Sequence, residues 1–187
     1  DDGTPVAVTL DATWSQPSGS SSVPVHMTLD IALSQLGIHH VIRVPDHVWV
    51  AYKSKRYGLR IAHPDDFDFS KGKFSDLFYG PNGEAIGVSR GPTGGFSLNV
   101  LTSGEVTFLK KDFHTKTVKN EDATLAGVKA RMLSLTGTDS QKQKVVVWEV
   151  IAVKGAYFYD VFWLSYTGNE AADKATFQQV LSTFSFS

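Results

Sequence analysis

The stretch KVVVWEVIAVKGAYFYDVFWLSY, residues 144–166, constrains the fold more than any other. Two β-branched and aromatic runs flank a Lys-Gly pair, which suits a tight hairpin turn. Neither run alternates cleanly between apolar and polar residues. Both faces of both strands are therefore apolar, and such a hairpin belongs at the centre of a sheet covered on two sides. Taking Lys154–Gly155 as the two turn residues sets the register: 153 faces 156, 151 faces 158, and Glu149 faces Asp160. Two carboxylates opposed inside an apolar hairpin are unfavourable. A cation, a raised pKa or a basic neighbour must offset them. Lys129 or Arg131, on the alternating run GVKARMLSLT (127–136), is the economical partner. Glu149, Asp160, Lys129 and Arg131 are thus expected to form a structural charge cluster. A register that separates the two acids and a functional site are the competing readings.

The remaining segments supply the cover. GNEAADKATFQQVLSTF reads as a closing helix, capped by Asn169 and apolar along Ala172, Thr176, Phe177, Val180, Leu181 and Phe184. YGLRIA (57–62) is a strand whose apolar side is Tyr57, Leu59 and Ile61. A short strand is expected near 85–89, another at FSLNVL (96–101), and a helix from Ser103 to Thr117 along Val106, Leu109 and Phe113. TLDIALSQLG suggests a short helix from Thr28 to Gly37, followed by a hairpin of HVIRV and VWVAY around Pro45–Asp46–His47. Residues 1–22, with SQPSGSSS at 15–22, read as an N-terminal arm and linker ahead of a single domain, 23–187. Strand runs with inserted helices give an α+β fold, an antiparallel β-sheet sandwiched by helices.

Composition narrows the function. The chain carries a formal net charge of −1 with its basic residues scattered, which argues against nucleic acid as a ligand. It has no cysteine, so thiol chemistry and Cys-based zinc sites are excluded. No apolar run approaches the roughly 18 residues of a membrane helix. The sequence begins at Asp1 without methionine, as a processed export product would and as a trimmed chain would.

Three constellations could carry chemistry. In IAHPDDFDFS (61–70), His63, Asp65 and Asp66 have donor types that bind a divalent metal. The structural alternative is a strand end: Pro64 holds His63 extended, and the aspartates suit a turn. GVSRG (87–91) matches the nucleophile-elbow spacing of serine hydrolases with Ser89 as nucleophile. That motif needs a strand-to-helix turn and a later histidine. Here RGPTGG follows Ser89, and His114 is the one histidine downstream. His40 and His47 could meet across the Pro45 hairpin, though surface histidines are the simpler reading.

Four pieces in order, YGLRIAHPDDF, TLAGVKARMLSL, the long hairpin around Gly155 and the closing FQQVLSTFSF, resemble the PsbP/Mog fold family. The resemblance runs from about Tyr57 to Phe186 and implies a mostly non-enzymatic, exported protein. It implies a partner, a membrane protein complex bound through a surface patch and the N-terminal arm. In a photosynthetic source this would be the extrinsic face of photosystem II in the thylakoid lumen; otherwise, the bacterial cell envelope. No transmembrane segment of its own, a monomer in isolation and no required cofactor are the matching expectations, with a weak divalent metal at His63 as the exception. The alternatives are an exported small-ligand or divalent-metal-binding envelope protein, and a hydrolase using Ser89.

Overall fold

The computed structural model describes residues 6–18, 21–33, 48–166, 168 and 170–187, with side chains from residue 48 onward. Contacts divide the chain into two units, Asp1–Val44 and Pro45–Ser187. In the first, β1 (Val6–Ser18) and β2 (Ser21–Leu33) pair antiparallel, with Val6 opposite Leu33 and Ser18 opposite Ser21. A linker over 1–22 and a helix from Thr28 were expected here. The sequence accounts for the difference: Val23, Val25, Met27, Leu29, Ile31 and Leu33 recur at every second position, the period of a strand. HVIRV, with His40 and His47, lies outside the described residues.

The second unit runs β3 (Trp49–Ser54), β4 (Leu59–Pro64), β5 (Asp68–Lys71), β6 (Asp76–Tyr79), β7 (Ala85–Pro92), α1 (Leu98–Asp112), β8 (Lys119–Leu125), β9 (Val128–Thr138), β10 (Lys144–Lys154), β11 (Tyr157–Ser165), α2 (Glu170–Thr183) and β12 (Ser185–Phe186). Seven strands form one antiparallel sheet in the order β5-β6-β7-β11-β10-β9-β8, and β12-β4-β3 form a second. The β10–β11 hairpin sits at the centre of the large sheet, as its two apolar faces require.

Alternation along β10 then assigns the layers. Val146, Trp148, Val150 and Ala152 join Val161 and Trp163 of β11, Leu59 and Ile61 of β4, and Phe177 and Val180 of α2 in one buried cluster. Val145, Val147 and Ile151 point the other way and pack with Leu133, Leu135 and Leu109 of α1. The sheet is thus sandwiched, α1 on one face and α2 with the small sheet on the other. This is the expected α+β class.

Two local expectations are corrected. FSLNVL is not a strand. Ser97 accepts a hydrogen bond from the Val100 N–H at 3.4 Å and starts α1 five residues before the expected Ser103. The helix ends when Phe113 N–H bonds Leu109 O and His114 takes a φ of 45°. The turn of the long hairpin is Gly155–Ala156, not Lys154–Gly155, because Lys154 pairs with Tyr157. Gly155 has a φ of 61°, and Ala156 is not in the positive-φ region. That is the type II′ requirement, glycine at the first central position. The register therefore shifts, placing Glu149 opposite Phe162 and Asp160 opposite Ile151.

Candidate functional site

The shifted register takes Glu149 and Asp160 out of direct opposition but keeps them together. Ile151 faces Asp160, and Glu149 is two residues from Ile151, so both carboxylates point to the α1 side as diagonal neighbours. On the adjoining strand Ser89 faces Asp160 and donates to its Oδ2 across a long 3.5 Å. Burial beside Asp160 raises the pKa of the Glu149 carboxyl.

The basic residues expected to join them do not. Arg131 starts from the same face, opposite Ile151, but its guanidinium turns toward β8. Its Nε donates to Asn120 Oδ1 at 2.6 Å, its Nη2 to Asn120 O at 2.8 Å, and its Nη1 pairs with Asp122. Lys129 is exposed, opposite Thr124. The four residues read as one charge cluster therefore separate into an acid pair and an Arg131–Asp122 pair. The register near β8 explains it: Asp122 is directly opposite Arg131, a shorter reach than β11.

α1 completes the site. Glu105, Phe108, Leu109, Asp112 and Phe113 fall on one helical face, at i, i+3, i+4, i+7 and i+8. With Val147 and Glu149 of β10 and Asp160, Phe162 and Leu164 of β11 they line a cavity of about 290 Å³ between helix and sheet. Gly87 shapes its back wall. The Phe162 ring lies where a side chain at 87 would stand, 2.0 Å from an ideal Cβ.

The electrostatics are unusual for a protein interior. Glu149 is 5% exposed. Asp160 keeps some exposure as a residue, but its Oδ1 is buried without a hydrogen-bond partner. Burial, then the neighbouring Asp160 and Glu105 charges, hold the Glu149 carboxyl well above the usual carboxylate range. Burial pushes Asp160 up to about 7. Glu105 is raised by burial and by Asp112. Among the described residues no cation neutralises the pair. The other buried carboxylates are satisfied: Asp76 accepts from Tyr52 Oη at 2.8 Å and Ser54 Oγ at 2.6 Å, Glu84 from the Asn82 N–H at 2.9 Å, and Asp173 from Ser165 Oγ at 2.6 Å.

The other sequence candidates lie outside this cavity. His63 is buried with its ring 4.3 Å from that of Phe78, Nδ1 is 2.7 Å from Pro64 O, and burial lowers its pKa. Asp65 and Asp66 lie on the exposed side of the turn. Among the described residues no group of three or more His, Asp or Glu side chains is placed to hold a metal ion. Ser89 sits mid-strand in β7 rather than on a strand-to-helix elbow, and His114 lies near Thr138 O.

Neither a protein-family model nor a curated protein sequence matches the chain. Solved structures do match. Cyanobacterial PsbP (CyanoP) from Synechocystis sp. PCC 6803 is similar at a TM-score of 0.57 and 13% identity, over 81% of this chain and 99% of that one. The chain has a PsbP-like fold. LpqN of Mycobacterium tuberculosis, described as involved in cell envelope biogenesis, is similar at 0.56 and 11% identity, over 76% of this chain and 92% of its own. A Bacteroides thetaiotaomicron protein is similar at 0.50 and 12% identity, and this chain spans 45% of its length. At such identities the PsbP-like fold carries over and the residues of the acid-lined cavity do not.

Proposed function

We propose that this chain is a non-enzymatic accessory protein that works outside the cytoplasm by docking on a membrane protein complex. The observation that carries the reading is the PsbP-like fold, matched over nearly the whole length of CyanoP and of LpqN, a protein of cell envelope biogenesis. No helix among the described residues is long and apolar enough to cross a membrane. The β5 edge of the large sheet, which no described strand pairs, supports a surface role. Every residue of β5 is exposed, and Phe69 and Phe74 are 50% and 75% exposed. Exposed aromatics beside an unpaired strand edge are a frequent basis for protein contacts. In a photosynthetic source the complex would be photosystem II and the compartment the thylakoid lumen; elsewhere it would be an envelope complex.

The test is photo-crosslinking in native membranes, with a benzophenone amino acid at position 74 of the full chain. The expected result is one dominant adduct to a subunit of an integral membrane complex, co-migrating on native gels and lost with Phe69→Ser. A chain that stays wholly free of membrane complexes overturns the reading.

A further inference from the structure

We propose that the cavity beneath α1 is a binding site for a small organic cation, a primary amine with an apolar body. The inference is separate from the docking reading. It starts from an imbalance. Glu149, 5% exposed, and Asp160 face the cavity, and Asp160 Oδ1 is buried without a partner. Among the described residues the hydrogen bond to the pair is that from Ser89 to Asp160 at 3.5 Å, and the charge acting on both is Glu105, another acid. Glu105 and Asp112 of α1 line the same space, while Arg131, the base nearest in register, is held by Asn120 and Asp122. Lys110 and Lys111 are exposed and do not line the cavity. A buried carboxylate demands a proton or a cation.

The walls select the kind of cation. Phe108, Phe113, Phe162 and Leu164 make much of the cavity apolar, and its volume of about 290 Å³ is at the small end of ligand pockets. Hard divalent ions need their oxygen ligands gathered around one point, and among the described residues no group of three or more His, Asp or Glu side chains is so gathered. An ammonium supplies three donors to carboxylate oxygens on two strands. An attached alkyl or aryl group would cover the aromatic rings, which also attract the charge itself. Phe108, 54% exposed, stands at the mouth.

The test is calorimetric titration of the full chain at pH 8 with 2-phenylethylamine, and with 2-phenylethanol as its uncharged counterpart. Saturable amine binding at least about tenfold tighter than the alcohol is expected. Glu149→Gln and Asp160→Asn keep shape and should each weaken the amine by about tenfold or more without affecting the alcohol. Phe108→Ala, at an exposed position that leaves the fold alone, should weaken both. Lowering the pH to 5 should weaken the amine alone, because protons then compete for the same oxygens. Equal binding of amine and alcohol, no amine binding, or indifference of the amine to both amide variants each overturns the proposal.

Discussion

Glu149 and Asp160 make folding depend on pH in a direction that can be worked out. Both are acids whose folded-state pKa is raised, Asp160 to about 7 and Glu149 well above its ordinary value. Between the unfolded values near 4 and the folded ones, the folded chain binds more protons than the unfolded chain. Stability therefore falls as pH rises through that window. The favourable term is whole below about pH 4 and gone above the folded values. For Asp160 alone, a displacement from 3.8 to about 7 is worth on the order of 4 kcal/mol. Urea unfolding of Asp160→Asn and Glu149→Gln should give proteins more stable than wild type at pH 7.5, by on the order of 2 kcal/mol, with the advantage gone at pH 4. Comparison with wild type at each pH removes the opposing trend from His63, whose pKa is lowered. Variants less stable than wild type at pH 7.5 would show a cation or donor already holding the pair. At this scale the sequence was half legible. Two acids inside an apolar hairpin were visible as a problem, but the solution assigned to Arg131 failed, because the nearer Asp122 captured it. Glu105 and Asp112 were legible in principle as acids within the apolar face of a helix; that face was read through Val106, Leu109 and Phe113 alone.

The long hairpin, its central position and its two-sided cover follow from residue patterning, and the structure has them. What patterning could not fix was the register, since with both faces apolar a slipped pairing buries as much as the correct one. The turn decides instead, through Gly155 at a φ of 61°. Two glycine substitutions separate backbone strain from packing. Around Gly155 nothing lies within 4 Å of an added Cβ, so Gly155→Ala meets the left-handed backbone penalty alone, about 1–2 kcal/mol. At Gly87 the added methyl meets the Phe162 ring at 2.0 Å and must displace it, at about 1–3 kcal/mol. Both variants should unfold at lower urea. Only Gly87→Ala should also disturb the cavity wall, seen as a shifted Phe162 ring resonance in the NMR spectrum. A silent Gly87→Ala would mean that the ring has free space to move. The failed strand at FSLNVL belongs to the same lesson. Its composition admits either state, and the Ser97 cap settles it.

For the whole molecule, the order of elements from Tyr57 onward carried the PsbP-like fold, because each piece has a distinct period and length. The first unit carried less, because an alternating run beside Ser/Gly/Pro residues satisfies a tether, a short helix or a hairpin until a pairing partner is known. The two-unit division makes a prediction. The Pro45–Ser187 unit has two buried clusters of its own, built from its sheets and both its helices. A chain starting at Pro45 should therefore keep its fold, with a melting temperature within about 3 °C of the full chain, a difference under about 1 kcal/mol. A larger loss would place residues 1–44 among the elements that hold the second unit together. If the first unit serves docking, the same shortened chain should lose association with the membrane complex while holding its melting temperature. Loss of both together would trace the docking defect to unfolding, whereas intact docking would leave the edge at Phe69 and Phe74 as the contact surface. Because stability and docking are read on one pair of proteins, the role of the first unit separates from the integrity of the second.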